Sequence, residues 1–274
     1  MNRPATRFRS LALAAVLIAL ASLLLLPGCS DINKGKTDDL AEARSYMRSR
    51  NFMEAEKYFE RYLMSQPDGP DRWEVWNDLV DIAMNIRHDR NTAIELLEAM
   101  TVEFEDDPAK LLKIRGRLAS EYEQARRYER SMEIWALMER DPLITPMEKA
   151  GIYQGMARVH MRRLEFILAQ EALHMCMDLD IPQKDKAYCQ YALADSYMTT
   201  EDLNDGIKEL RNLLEQKGVE DDLRILSIFM LADALEQKEQ SETALALFES
   251  IRFSYPNPSV IESRIEYLKN PRKK

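Results

Sequence analysis

The sequence predicts an all-α fold made of repeated helix pairs. Glycine is scarce, at 8 of 274 residues, whereas strong helix formers such as Ala, Leu, Glu, Arg and Met are abundant. The chain is 46% hydrophobic and 31% charged, so it can bury a core and still expose a well-hydrated surface. The third observation is a set of small, bulky and terminating residues that recurs along the chain, which is the signature of a repeat architecture.

The first 28 residues have the pattern of an export signal. Residues 1–10 contain three arginines and no acidic residue, and an apolar run of 16 residues follows from Leu11 to Leu26. A positive start followed by a short apolar run is typical of a secretory signal, and this run is short for a membrane-spanning helix. We therefore predict a signal peptide at residues 1–28.

Residues 26–29, Leu-Pro-Gly-Cys, resemble the processing box of bacterial lipoproteins, in which the cysteine receives the lipid. The resemblance implies lipidation of Cys29, a polar tether at residues 29–37, and a body outside the cytoplasm. Ser30, rather than aspartate, follows the cysteine, which in Gram-negative lipoproteins implies sorting to the outer membrane with the body facing the periplasm. The alternative is an uncleaved N-terminal anchor.

The repeat is clearest near the C-terminus. Leu231-Ala232, Leu235, Ala244, Phe248, Ile251 and Pro256 match the spacing of the tetratricopeptide repeat (TPR) consensus. The same register fits units that begin around Ala43, Leu118, Met156 and Leu193, and less closely a unit with a shortened turn around Ala83, Ala93, Leu97 and Met100. Proline or glycine ends each unit at 67, 108, 142, 182, 218 and 256.

The chain thus resembles tetratricopeptide repeat proteins over most of the predicted mature sequence. The resemblance implies a right-handed superhelical solenoid of about six helix pairs at residues 38–268, in which residues 259–268 form a capping helix. We predict that residues 269–274 form a basic tail. Small residues at two key sites of each pair would let its helices approach closely. They are Ala43, Ala119, Ala157, Ala194 and Ala232 in the first helices and Ala55, Ala93, Ser131, Ala169, Gly206 and Ala244 in the second.

Catalysis and nucleic-acid binding are disfavoured. The formal net charge is −9, and −12 without Arg3, Arg7 and Arg9, so the body repels phosphate backbones. No phosphate-binding loop, dinucleotide-binding turn, nucleophile elbow or zinc-ligand spacing is present in the sequence. We therefore expect no enzymatic activity, no cofactor and no metal site, and we expect a structural role for His160.

In tetratricopeptide repeat proteins the first helices line a concave groove, and the resemblance implies which residues face it here. Arginines beside aromatic and methionine side chains are favoured in interface cores and could bind an acidic or C-terminal carboxylate. The alternative is that these residues pack on neighbouring helices or face water. The candidates are Arg44, Arg48, Arg158, Met161, Arg162, Tyr188, Tyr191 and Phe229.

Besides Cys29, the chain contains only Cys176 and Cys189. An exported protein could join them in a disulfide, and the alternative is a pair of buried thiols.

The predicted function is a protein–protein interaction scaffold in the cell envelope that binds other proteins through the groove. The alternative is a dedicated part of an outer-membrane assembly or secretion machine, such as the β-barrel assembly complex or a pilotin of pilus secretins. The sequence leaves open whether the protein forms homo-oligomers.

Overall fold

The computed structural model describes residues 38–270, and within them it contains thirteen α-helices, one π-helical segment and no strand. The predicted signal peptide, Cys29, the tether and residues 271–274 lie outside the described residues. Among the described helices, none combines the length and apolar character needed to cross a membrane.

The helices follow one another with short connections. Their bounds are α1 Asp38–Arg48, α2 Phe52–Ser65, α3 Arg72–Asp81, the π-helical segment Ile82–Ile86, α4 Arg90–Glu103, α5 Pro108–Gln124, α6 Tyr128–Glu139, α7 Pro146–Arg162, α8 Phe166–Asp178, α9 Gln183–Thr199, α10 Leu203–Glu215, α11 Asp221–Gln237, α12 Ser241–Ser250 and α13 Pro258–Lys269.

Turns of three residues join these helices into six pairs, α1–α2 through α11–α12, with α13 as a final single helix. The links between pairs are longer, at four to seven residues. The predicted all-α helical-repeat fold with a C-terminal helix is confirmed. By backbone contacts the chain divides into two compact units, one ending at Ala93 and one beginning at Ile94, so α4 starts in the first unit and continues in the second.

Each three-residue turn contains one non-glycine residue in the left-handed backbone region. These residues are Arg50, His88, Arg126, Leu164, Glu201 and Glu239, with φ between 53° and 61°. They recur every 37 or 38 residues, which is the true period of the chain. The terminating prolines recur less evenly because they stand at different places in the links, and Pro108 is already the first residue of α5.

The turns close like Schellman motifs, in which a backbone N–H beyond the helix returns to the last helical turn. In pair four, for example, Glu165 N–H donates to the carbonyl of His160 at 2.9 Å. In pair two the corresponding bond runs from Asp89 to Ala83, one residue further back, because the π-helical segment inserts an extra residue. Ala83, around which the sequence predicts this unit, is fully buried.

Close approach of the two helices in a pair depends on the predicted small residues, which are buried at these positions. In pair three, Ser131 Oγ on α6 donates to the carbonyl oxygen of Ala119 on α5 at 2.7 Å. In pair five, a Cβ added to Gly206 would lie 3.3 Å from the carbonyl oxygen of Ala194 and 2.5 Å from Met198 Cε. Larger side chains at either site would push the helices apart.

The C-terminal helix α13 caps the second unit. Ile261 and Ile265 are buried in the same apolar cluster as Phe248. The guanidinium of Arg264 is ion-paired with Asp233 and Glu236 on α11. The apolar end of the last pair is therefore covered from within the chain, as helical repeats require.

Replacing Leu164 by glycine is expected to stabilise the protein. Leu164 has φ 60° and is 72% exposed, so little packing is lost. The left-handed conformation costs a non-glycine residue about 1–2 kcal/mol, and glycine avoids this strain. Because glycine is more flexible in the unfolded chain, it loses more conformational entropy on folding, which offsets part of the gain. We expect the free energy of unfolding to rise by about 0.5–1 kcal/mol, measured by urea denaturation. Leu164→Ala, which keeps the strain, is the control, and equal stability of the two variants would contradict the turn geometry.

Candidate protein-binding groove

A groove opens between the first helices of pairs four and five, α7 and α9, inside the second compact unit. It encloses about 500 Å³, which is enough for several side chains of a peptide. We call it the α7–α9 groove. Its lining residues are Glu123, Gln154, Ala157, Arg158, Met161, Arg162, Leu173, Ala192, Asp195 and Thr199.

Helical periodicity explains why these residues share one surface. Met161 and Arg162 on α7 follow Arg158 by three and four residues, and Arg158 follows Gln154 by four. Ala192, Asp195 and Thr199 on α9 are likewise three or four residues apart. Residues at that spacing lie on one face of a helix. The structure therefore brings the predicted Arg158, Met161 and Arg162 together in one groove.

The positive charge of Arg158 is balanced inside the protein. Its Nε lies 3.3 Å from the carboxylate of Glu123 on α5, whose side chain is only 3% exposed. Burying a carboxylate without a partner costs free energy, so the ion pair with Arg158 stabilises the buried Glu123. Arg158 thus shapes the wall, and its charge is only partly available to a ligand.

Arg162, in contrast, is exposed and has no ion pair or side-chain hydrogen bond to any residue in the range 38–270. A guanidinium offers five N–H donors in a planar fork that matches a carboxylate. Met161 beside it is half-buried and supplies a flexible apolar surface. These two residues form the part of the α7 wall that is free to bind.

Asp195 on the opposite wall is the second free charged group, since its carboxylate has no partner among the described residues. Asp195 lines the groove and is exposed, and partial loss of hydration raises the pKa of its carboxyl group. The groove therefore presents a free cation on α7 and a free anion on α9.

The predicted aromatic residues do not line this groove. Tyr188 is 40% exposed, and its hydroxyl donates to the carboxylate of Glu220 at 2.6 Å. Tyr191 is half-buried against the apolar core of the second unit. Phe229 packs face to face on Tyr255, with ring centroids 4.6 Å apart, so it belongs to the covered C-terminal end rather than to an open surface.

Arg44 and Arg48 lie in the first unit. Arg44 is ion-paired with Asp71 at 2.8 Å, whereas Arg48 is exposed and has no partner within residues 38–270. The sequence predicts both as groove residues, and the structure surrounds neither of them with a defined cavity among the described residues.

Other groove residues, such as Glu123 and Thr199, are not among the eight candidates predicted from the sequence. Both lie on first helices, Glu123 on α5 and Thr199 on α9, which are the helices that the family resemblance assigns to the groove. His160 has the structural role expected of it: its Nδ1 lies 2.7 Å from the carboxylate of Glu165 in the turn between α7 and α8. This hydrogen bond lowers the pKa of the Glu165 carboxyl group.

The sulfur atoms of Cys176 and Cys189 lie at bonding distance, with their Cα atoms 6.1 Å apart. Both residues are fully buried. The pair joins α8 of pair four to α9 of pair five, and Gln154 in the groove wall donates to Cys189 Sγ at 3.2 Å. A disulfide here would stabilise the packing of the two pairs that form the groove.

Comparison with known proteins supports the fold. Residues 40–108, about a quarter of the chain, match the tetratricopeptide repeat family model. BtubC (BKLC) from P. vanneervenii has a TM-score of 0.56 at 16% identity, covering 90% of this chain and 97% of that one. The fold is that of tetratricopeptide repeat proteins.

Two further structures have similar helical arrangements. The putative kinesin light chain TPR-like repeats of Podosopora anserina give a TM-score of 0.53 at 17% identity, over 75% of this chain and all of that one. Pseudomonas aeruginosa pilF has a TM-score of 0.52 at 13% identity, covering 85% of this chain and 97% of that one. At such identities the similarity concerns the fold alone. No curated protein sequence matches the chain.

Reduction of the Cys176–Cys189 bond is expected to lower the free energy of unfolding by about 3 kcal/mol, since it releases a short loop in the unfolded chain. Urea denaturation of the wild-type protein with and without a thiol reductant measures this effect. A Cys176→Ala/Cys189→Ala variant, insensitive to the reductant, is the control. If wild-type stability is the same in both conditions, these residues are buried thiols.

Proposed function

We propose that this chain is a protein-interaction scaffold in which the α7–α9 groove receives a segment of a partner protein. The observation that carries the proposal is the pair of free charges, Arg162 and Asp195, on facing walls of a groove with apolar surface between them. Neither charge has a partner within the described residues, so a ligand of complementary charge gains affinity there. The tetratricopeptide fold, typical of protein-interaction scaffolds, supports the same function.

Arg162 is the proposed site for a carboxylate of the partner, from an acidic side chain or from the chain terminus. A bidentate guanidinium–carboxylate pair gives both direction and affinity. Met161 and the buried Leu173 at the base of the groove would contact apolar parts of the same segment. The proposal includes no catalytic step and no cofactor.

We further propose that the scaffold works in the cell envelope, anchored to the outer membrane through a lipid on Cys29 and facing the periplasm. The support is the arginine-containing start, the apolar run to Leu26 and the Gly28-Cys29-Ser30 sequence. A tether of residues 29–37 would hold the helical body within about 30 Å of the bilayer surface.

Photo-crosslinking in a Gram-negative host tests this function. A benzoylphenylalanine replaces Met161 in the groove or Met175 on α8, which is 43% exposed and outside the groove. We expect benzoylphenylalanine at position 161 to crosslink to a discrete envelope protein, and we expect no such product from position 175. Arg162→Glu should reduce the crosslinked product from position 161 about tenfold, because the new carboxylate would repel the carboxylate of the partner. The product should fractionate with the outer membrane, and a Cys29→Ala variant, which cannot be lipidated, should lose this outer-membrane association.

Equal crosslinking from both positions, or a Met161 product unaffected by Arg162→Glu, would contradict binding in this groove. The identity of the captured protein separates the two functional classes. Several unrelated envelope proteins would indicate a general scaffold, whereas a single component of a secretion or barrel-assembly machine would indicate a dedicated part.

A further inference from the structure

The six left-handed turns give every helix pair a common register, and one position in that register carries a charge in four pairs. The position lies six residues before the left-handed residue, on the first helix of the pair. The four charged residues are Arg44, Arg158, Asp195 and Asp233.

Three of these four residues are ion-paired within the chain. Arg44 binds Asp71, Arg158 binds Glu123 and Asp233 binds Arg264, each pair lying within the described residues. Asp195 alone among the four has no partner in residues 38–270. Asp195 is therefore the one charged residue at this position whose charge is uncompensated within the described residues.

The residue on the preceding first helix differs between Arg158 and Asp195. Glu123, which binds Arg158 from the preceding pair, lies three residues before its own left-handed residue, Arg126. The corresponding residue before Leu164 is Met161, which carries no charge. Asp195 thus faces a methionine where Arg158 faces a carboxylate.

The other groups around Asp195 do not satisfy it. Arg158 is occupied by Glu123, and Arg162 lines the same groove without forming an ion pair to Asp195. The Thr199 hydroxyl donates instead to the Asp195 backbone carbonyl at 2.9 Å. Gln154, also in the lining, donates to Cys189 Sγ, and Met161, Ala192 and Leu173 are apolar.

We infer that Asp195 binds the charged group of a lysine or arginine side chain in the partner segment. This inference rests on the proposed function and deepens it, because it names a chemical requirement of the ligand. The methylene stem of such a side chain would pack on Met161, Ala192 and Leu173, while its ammonium or guanidinium group completes the missing ion pair. With Arg162 binding a carboxylate, the segment carries a basic and an acidic group close together.

Two further properties support this assignment. The chain is acidic overall, with a formal charge of −9, so basic segments are attracted to it. The partly desolvated carboxylate of Asp195 has a raised pKa, and a bound cation would restore part of the stabilisation that hydration no longer provides.

Selection from a random heptapeptide phage library tests the inference on the purified full chain. The baits are the wild type, Asp195→Asn, Asp195→Lys and, as a matched control, Asp178→Asn, which removes an exposed carboxylate from α8. We expect the wild type and Asp178→Asn to enrich lysine or arginine at one position, Asp195→Asn to lose that preference, and Asp195→Lys to favour acidic residues there. Thermal unfolding of each bait checks that it is folded.

A selected peptide is then synthesised with its lysine free or acetylated, which removes the charge and keeps the stem. Fluorescence anisotropy should show about tenfold weaker binding of the acetylated peptide to the wild type. The free peptide should bind Asp195→Asn about tenfold more weakly, with no further effect of acetylation.

Three results would overturn the inference. Selected peptides without a basic residue, or an acetylation effect that persists in Asp195→Asn, would remove Asp195 from recognition while leaving a peptide-binding groove. Failure of every folded bait to enrich any peptide would contradict the proposed function itself, and the role of Asp195 with it.

Discussion

The contact on which the rest of the structure depends is the close approach of the two helices within each pair. It is visible where Ser131 Oγ reaches the carbonyl of Ala119, and where a methyl group on Gly206 would press against Ala194. Such contacts leave no room for branched or long side chains at these sites. The three-residue turn follows from the same constraint, because helices this close can be joined only by a sharp reversal. One residue per turn accepts the left-handed conformation.

This constraint also places the charged residues of the groove. Once a pair is closed, each residue of its first helix has a fixed direction. In pairs three to five, the positions three and six residues before the turn lie between neighbouring first helices. Glu123 and Arg158 meet in this way across α5 and α7. Met161 and Asp195 occupy the corresponding places across α7 and α9, where no ion pair can form. The groove gains its binding potential from this local mismatch, and the Cys176–Cys189 connection holds the two pairs that border it.

Much of the architecture is predictable from the sequence because small residues at regular spacing are a local signal. The same signal contains the period, because Ala55, Ala93, Ser131, Ala169, Gly206 and Ala244 recur every 37 or 38 residues. The left-handed turns are not predictable, since Arg50, His88, Arg126, Leu164, Glu201 and Glu239 share no chemistry that marks such a turn, and none is glycine. The π-helical segment Ile82–Ile86 is likewise hidden, because the extra residue that it inserts has no sequence signature.

The candidate site was predictable in part. Arg158, Met161 and Arg162 are on one helix, so periodicity alone groups them. Which of these charges stays free depends on Glu123, 35 residues away from Arg158, and sequence spacing does not report such pairing. Phe229 is covered for a similar reason: Tyr255, from the link before α13, packs on its ring.

The most direct test of the groove as a binding site is methyl NMR of protein labelled at its methionine methyl groups, with and without a bound peptide. The methyl of Met161 lies in the groove, whereas that of Met175 is exposed on α8 outside it. If the peptide binds in the α7–α9 groove, the Met161 resonance shifts on titration and the Met175 resonance does not. A shift at Met175 with no change at Met161 would show that the ligand binds another surface.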